Sequence, residues 1–183
     1  MTTSLDELTG SYVLDPAHTR IGFVARHAMV TKVHGAFKEF EGTARLDGTD
    51  PTRSWAKVTI SAASIDTGNE QRDGHLRTND FLDAPNFPQI TFVSAGVERL
   101  GDTEFRLNGE LTIKDTIRPV GIDFEYTGSA RDPSGNFRVG FEGSVTISRK
   151  DFGITWNAPL ESGGVLVGDK VVLEFDVSAI KQE

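Results

Sequence analysis

Four histidines and one charged pentapeptide are the residues best equipped for chemistry. The histidines are His18, His27, His34 and His75. Imidazole can shuttle a proton near neutral pH or ligate a metal. Either task needs partners at short, defined spacing, as in HxH or HExxH. None of the four has such a neighbour: His18, His27 and His34 are nine and seven positions apart. The plain reading is hydrogen-bonded histidines at strand ends, so no catalytic residue and no metal ligand is assigned. The pentapeptide is Arg72-Asp73-Gly74-His75-Leu76, inside TGNEQRDGHLRTNDFLD. Its surroundings are acidic, with Asp66, Glu70, Asp73, Asp80 and Asp83 close in sequence. A helix N-terminus favours negative charge, which accounts for Glu70 and Asp73 without catalysis.

Motifs for other chemistries are missing. There is no G-x-S-x-G nucleophile elbow, no phosphate loop and no dinucleotide fingerprint. Gly163-Gly164 reads as a turn. The chain has no cysteine, which excludes disulfides and thiolate metal sites. Lysine and arginine number 19 against 27 aspartate and glutamate, a net charge of −8. That balance repels phosphate backbones, so nucleic acid is not an expected partner, and it disfavours anionic membrane surfaces as a whole. The start, MTTSLDELTG, has neither a basic n-region nor an apolar h-region. It suggests a cytoplasmic protein with residues 1–10 as a flexible tail. No apolar run approaches the length of a membrane span.

The elements that must position these residues read as strands. The 183 residues suit one domain. In EFRLNGELTIK, Phe105, Leu107, Leu111 and Ile113 share one face and Arg106, Asn108, Glu110 and Lys114 the other. The same alternation runs through Val120, Ile122, Phe124 and Tyr126. It recurs in Phe137, Val139, Phe141, Val145 and Ile147, in Val171, Leu173, Phe175 and Val177, in Ile21, Phe23 and Ala25, and in Ala56, Val58, Ile60 and Ala62. Strands with one apolar face build antiparallel sheets. Roughly eight of them, separated by turn signals such as Asp47-Gly48 and Pro133-Ser134-Gly135, fit a sandwich or a closed barrel. Their length favours an up-and-down barrel, which leaves no exposed edge. Gly109 and Gly143 fall on the apolar face, where a glycine either bends the strand or leaves room inside.

Residues 69–83 are the exception and predict one short helical insert. Thr67 and Asn69 can cap its start; Thr78, Asn79 and Asp80 suggest a second cap before Phe81 and Leu82; Pro85 and Pro88 end it. Such an insert suits a lid or end plug. Leu76 would point inward, and Arg72 would pair with a carboxylate of the rim, in preference to a ligand head group.

In this order the motifs resemble those of the YceI-like family. DPAHTRIGFVARHAMVTKVHGAFKEFEG is similar to its opening and SIDTGNEQRDGHLRTNDFLDAPNFPQITFVS to its central signature. GELTIKDTIRPV, ISRKDFGI and VGDKVVLEFDV resemble its later motifs. The resemblance covers about Tyr12 to Ile180. It implies an all-β fold: a single extended antiparallel, lipocalin-like barrel. It also implies an apolar interior for a long isoprenoid or other lipid-like chain, a frequent homodimer, and no catalytic triad. Many relatives are exported, whereas no signal is legible here.

Alternation then nominates the lining of a lipid site: Ile21, Phe23, Ile60, Phe92, Leu111, Phe124, Phe141 and Phe175, with Leu76 from the insert. Arg72, Asp73, His75 and His27 are candidates for head-group or rim contacts. The expected function is binding, carriage or sequestration of an isoprenoid, quinone or fatty-acid-like molecule, with no other cofactor. Two alternatives stand beside it. One is an enzyme acting on a lipid-like substrate at a polar mouth. The other is a dimeric scaffold using Trp55 or Trp156 as an interface anchor.

Overall fold

The computed structural model describes residues 5–161 and 164–182; Gly163, half of the expected Gly-Gly turn, lies outside them. The strands are β1 (Gly10–Leu14), β2 (Arg20–His27), β3 (Thr31–Phe37), β4 (Phe40–Leu46), β5 (Trp55–Ser61), β6 (Ile65–Asp66), β7 (Gln89–Arg99), β8 (Glu104–Ile113), β9 (Thr116–Arg131), β10 (Phe137–Ser148) and β11 (Val167–Gln182); helix α1 is Glu70–Leu76. Neighbours run β1-β4-β5-β7-β8-β9-β10-β11, and β11 returns to β1. All pairings are antiparallel. The result is a closed eight-stranded barrel, because β2, β3 and β6 are upper continuations of β1, β4 and β5. Closure removes the open edges that long antiparallel strands would otherwise expose.

One side chain explains how β1 becomes β2. β11 pairs with β1 from Gln182 to Ala179 and with β2 from Asp176 onward. Between them lies Pro16, which has no N–H to give a ladder. Thr19 fills the gap: its hydroxyl accepts from Ser178 N at 3.0 Å and donates to Ser178 O at 3.0 Å. Asp15 anchors the same corner, receiving Arg138, the His18 ring and Ala17 N. The Arg138 hydrogen bond foremost, then that of His18, pulls the Asp15 carboxyl down to about 2. His18 is thus a hydrogen-bonded histidine at a strand break.

The apolar stripes all turn inward, and glycines on the inner face make room for rings. A Cβ on Gly35 would lie 2.3 Å from the Phe23 ring, one on Gly109 2.6 Å from that of Phe92, and one on Gly143 2.6 Å from that of Phe124. These glycines let phenylalanines lie flat against the neighbouring strand. Three register shifts, between Ser94 and Gly96, between Gly140 and Phe141 and between Val167 and Val171, interrupt the ladders and bend the wall.

The two ends are closed differently. At the lower end a 3-10 turn, Asp6–Leu8, buries Leu5 and Leu8. Tyr12 Oη donates to Leu8 O at 2.8 Å, and burial, with Tyr126 and Glu7 nearby, pushes its pKa up to about 12. Within the expected tail, Leu5 and Leu8 are therefore core, because they gain more by capping the barrel than by staying in water. At the upper end the insert is helical only over Glu70–Leu76, capped by Asn69 Oδ1 accepting from Arg72 N at 3.0 Å. The capping signal at Thr78–Asp80 opens no helical turn, so the insert stops being helical seven residues before the expected Asp83. Residues 78–82 fold back through turns, with Leu82 N on Leu76 O at 3.0 Å. Sending both Phe81 and Leu82 into the core needs that reversal, and so short a stretch would nucleate a helix poorly.

Candidate functional site

The inward stripes enclose one apolar cavity of about 340 Å³. It reaches from Leu5, Leu8 and Tyr12 below to Leu76, Phe81 and Leu82 above. Val171 to Ala179 on β11 alone covers roughly 20 Å of barrel axis at ordinary strand rise and tilt. The space is a tunnel along the barrel and falls in the size range of ligand pockets.

The structure places all nine nominated lining residues on it. Ile21 and Phe23 come from β2, Ile60 from β5, Phe92 from β7 and Leu111 from β8. Phe124, Phe141 and Phe175 come from β9, β10 and β11, and Leu76 closes the end from α1. Three of the aromatic members, Phe124, Phe141 and Phe175, form a continuous row with Tyr126. Phe124 stands 5.9 Å from Phe175 and 6.5 Å from Phe141, and Tyr126 5.5 Å from Phe141, centroid to centroid. These are ordinary contact distances for tilted and edge-on rings.

The polar candidates lie elsewhere. Arg72 meets no carboxylate: its Nε donates to Thr67 Oγ1 at 2.7 Å and its Nη2 to Thr67 O at 2.8 Å. A short loop from β6 brings that carbonyl within reach of the first helical turn, and the fork geometry of guanidinium suits both acceptors. Asp73 is buried and receives Thr67 N at 2.9 Å and the Thr67 hydroxyl. The pair is a staple between helix and wall. His75 Nε2 pairs with Asp80 Oδ2 at 2.8 Å, and its ring packs edge-on against Phe81 and Trp156 at 5.1 and 4.7 Å. That cluster closes the upper end. His27 is exposed at the tip of the β2–β3 hairpin. None of these four lines the tunnel. Trp156 is half-buried in the cluster, whereas Trp55 is exposed near the lower end.

Arg149 is a lining residue that sequence reasoning missed. Arg149 opens a 3-10 turn, Arg149–Phe152, and is only 4% exposed. Its Nε donates to Gly168 O at 2.9 Å, its Nη1 to Ile154 O and Trp156 O at 2.9 and 2.8 Å, and its Nη2 to Val167 O at 3.2 Å. Burial lowers its pKa and Asp169 opposes that shift; arginine stays charged regardless. The side chain gathers four carbonyls from the segment that roofs the tunnel. The available signal was Gly153, two residues into DFGI, which sits at φ 74 and ends the turn. It marks a folded cap directly after β10.

The wall itself has a seam near this roof. β9 pairs with β10 only from Asp123↔Ser144 downward. Above that level β9 pairs with β8 alone and β10 with β11 alone. Residues 149–152 span the gap, and Arg118 Nε holds Asp151 O at 3.0 Å.

Comparison with known proteins agrees with this architecture. The YceI-like domain model matches residues 12–179. A UPF0312 protein of Shewanella baltica is 38% identical over 145 residues, covering 78% of this chain and 76% of that protein. The crystal structure of BcnA from Burkholderia cenocepacia superposes with a TM-score of 0.80 at 25% identity, over 90% of this chain and 98% of that one. A polyisoprenoid binding domain from Saccharophagus degradans, implicated in plant cell wall breakdown, shares the fold, with a TM-score of 0.68 at 13% identity over 93% of this chain and 98% of that one.

Proposed function

Because the chain belongs to the YceI-like domain family, we propose that its barrel binds and carries one long apolar molecule of the isoprenoid class, such as a quinone or its precursor. The observation that carries this reading is the tunnel: a single continuous cavity, lined by aromatic and branched side chains from end to end. Each buried CH₂ contributes about 0.8 kcal/mol, so a five-carbon unit contributes about 3–4 kcal/mol before ordering losses. Three or four units give useful affinity without a polar anchor. A ligand held this way needs length and an apolar surface, and the row of rings supplies both.

Carriage is favoured over turnover by where the histidines and Arg149 sit. His18, His27 and His34 are exposed, His75 faces a protein cluster, and Arg149 is engaged with carbonyls. No histidine lines the tunnel among the described residues.

The test is a calorimetric titration with polyprenols of increasing length. Affinity should rise by about tenfold or more per added unit until the tunnel is full, then level off. The heat capacity change should be negative. Binding that ignores chain length would contradict the proposal.

A further inference from the structure

The three most exposed large apolar side chains among the described residues are Val30 at 75%, Met29 at 59% and Ile117 at 57%. All three stand at the same end of the barrel. Met29 and Val30 form the tip of the β2–β3 hairpin, and Ile117 is the second residue of β9, just after its turn with β8. The hairpin tip is strained. Ala28 and Met29 have φ values of 51° and 66°, and Val30 N closes on His27 O at 3.2 Å. Such a turn normally takes Asn-Gly, so this one spends stability to present a methionine and a valine to solvent. Strain of that kind is associated with functional surfaces.

The tips form part of one continuous arc. Ala28 N bonds Leu166 O, and a Cβ on Gly164 would lie 2.5 Å from the Met29 sulfur. A Cβ on Gly168 would lie 3.2 Å from Arg26, and Arg149 bonds Gly168 O. Arg118 bonds Asp151 O next to the seam. The arc therefore flanks the β9–β10 seam on both sides.

Its charge opposes that of the rest of the molecule. Arg26, Lys32, Lys114, Arg118, Lys150 and Lys170 stand on it against Asp115, Asp151, Glu161 and Asp169, a local balance of 6 − 4 = +2 in a chain of net −8. Lower on the flank, Glu104, Asp123, Glu125, Glu142, Glu174 and Asp176 line one acidic surface with Arg20. The helix side of the upper end has the opposite balance, with Asp66, Glu70, Asp80 and Asp83 against Lys38, Arg72 and Arg77, 3 − 4 = −1. At the lower end Trp55 and Val93 are also exposed beside Arg45 and Lys57, but the arc carries the three most exposed apolar side chains among the described residues together with a net positive charge.

We infer that this arc docks on an anionic lipid bilayer, with Met29, Val30 and Ile117 entering the headgroup layer and the surrounding cations meeting lipid phosphates. Shallow apolar insertion and basic charge are the two contributions that hold peripheral proteins on membranes. The acidic flank restricts docking to this end. The inference rests on the carrier reading for its purpose, since an isoprenoid has to leave and enter a bilayer and the seam would face it.

The test is sedimentation of the full chain with vesicles of phosphatidylcholine alone or mixed with phosphatidylglycerol. Binding should appear with the anionic vesicles and weaken with salt. Lys32→Ala and Lys170→Ala should each weaken it about fivefold, and Met29→Asp combined with Val30→Asp should abolish it. Leu100→Asp, an exposed apolar change at the opposite end, should leave it intact. Equal binding to neutral vesicles, no binding to either, or equal loss in Leu100→Asp would overturn the inference. The same variants are titrated with polyprenol in vesicle-free buffer. Uptake without vesicle binding refutes docking alone, and anionic vesicle binding without uptake refutes the carrier reading alone.

Discussion

Phe124 and Phe175 reach toward each other from the two strands that flank Gly143, and their ring centroids stand 5.9 Å apart. The glycine makes this contact achievable. A Cβ there would lie 2.6 Å from Phe124 Cδ1 and 2.7 Å from the Asp123 carbonyl oxygen. The ring can shift but the backbone oxygen cannot shift cheaply. Gly143→Ala should therefore cost roughly 1–3 kcal/mol, read as a lower urea midpoint. An unchanged midpoint would mean that the wall yields more readily than its geometry indicates.

The tunnel can be filled from its side. Val120 lines it from β9, beside the seam. Val120→Trp places an indole in the lumen, so polyprenol uptake should fall by about tenfold or more through lost buried chain length. The fold should change by less than about 1.5 kcal/mol, since the added ring enters open space. Full uptake by this variant would place the ligand elsewhere.

Arg149 holds the roof through four carbonyls. Lysine keeps the charge but lacks the planar fork. Arg149→Lys should destabilise the protein by about 3 kcal/mol or more, because buried carbonyls of the roof lose their donors. Differential scanning calorimetry checks this. A wild-type melting temperature would show that the carbonyls find other partners.

Acid stability should depend on Asp15. Arg138, and then His18, hold its carboxyl at about 2, below the ordinary 3.8. A depressed carboxyl contributes fully above its unfolded value, and that contribution is lost as pH falls through the folded one. Stability should thus decline between about pH 4 and 2, and Asp15→Asn should flatten this limb. Urea unfolding at several pH values measures it, and an unaltered limb in Asp15→Asn would assign the acid response to other groups.

Gly74 serves no steric need. It lies inside α1, and a Cβ there meets nothing within 4 Å. Gly74→Ala should stabilise the protein by about 0.5–1 kcal/mol without altering uptake. Destabilisation would argue that the helix has to open in function.

The barrel and its lining were legible because strand alternation has a period of two and the core keeps it strictly. Phe124, Phe141 and Phe175 could be placed inward from spacing alone. The polar candidates were not legible in the same way. Arg72 and His75 sit on a helix, and whether a helical residue faces a wall, a roof or a lumen depends on segments far away in sequence. Trp156, eighty-one positions beyond His75, decides where that imidazole packs. Arg149 was hidden for a related reason. Its partners are backbone carbonyls at 154, 156, 167 and 168, and carbonyls leave no trace in residue types. The broken strand at Asp15–Thr19 likewise depends on Ser178, at the other end of the chain.

Mass spectrometry of the protein purified from its native host without detergent tests the carrier claim most directly. A long-chain isoprenoid should leave with the chain, close to one per barrel, and be lost from Val120→Trp. An empty wild-type barrel, or a bound molecule retained undiminished by Val120→Trp, would contradict it.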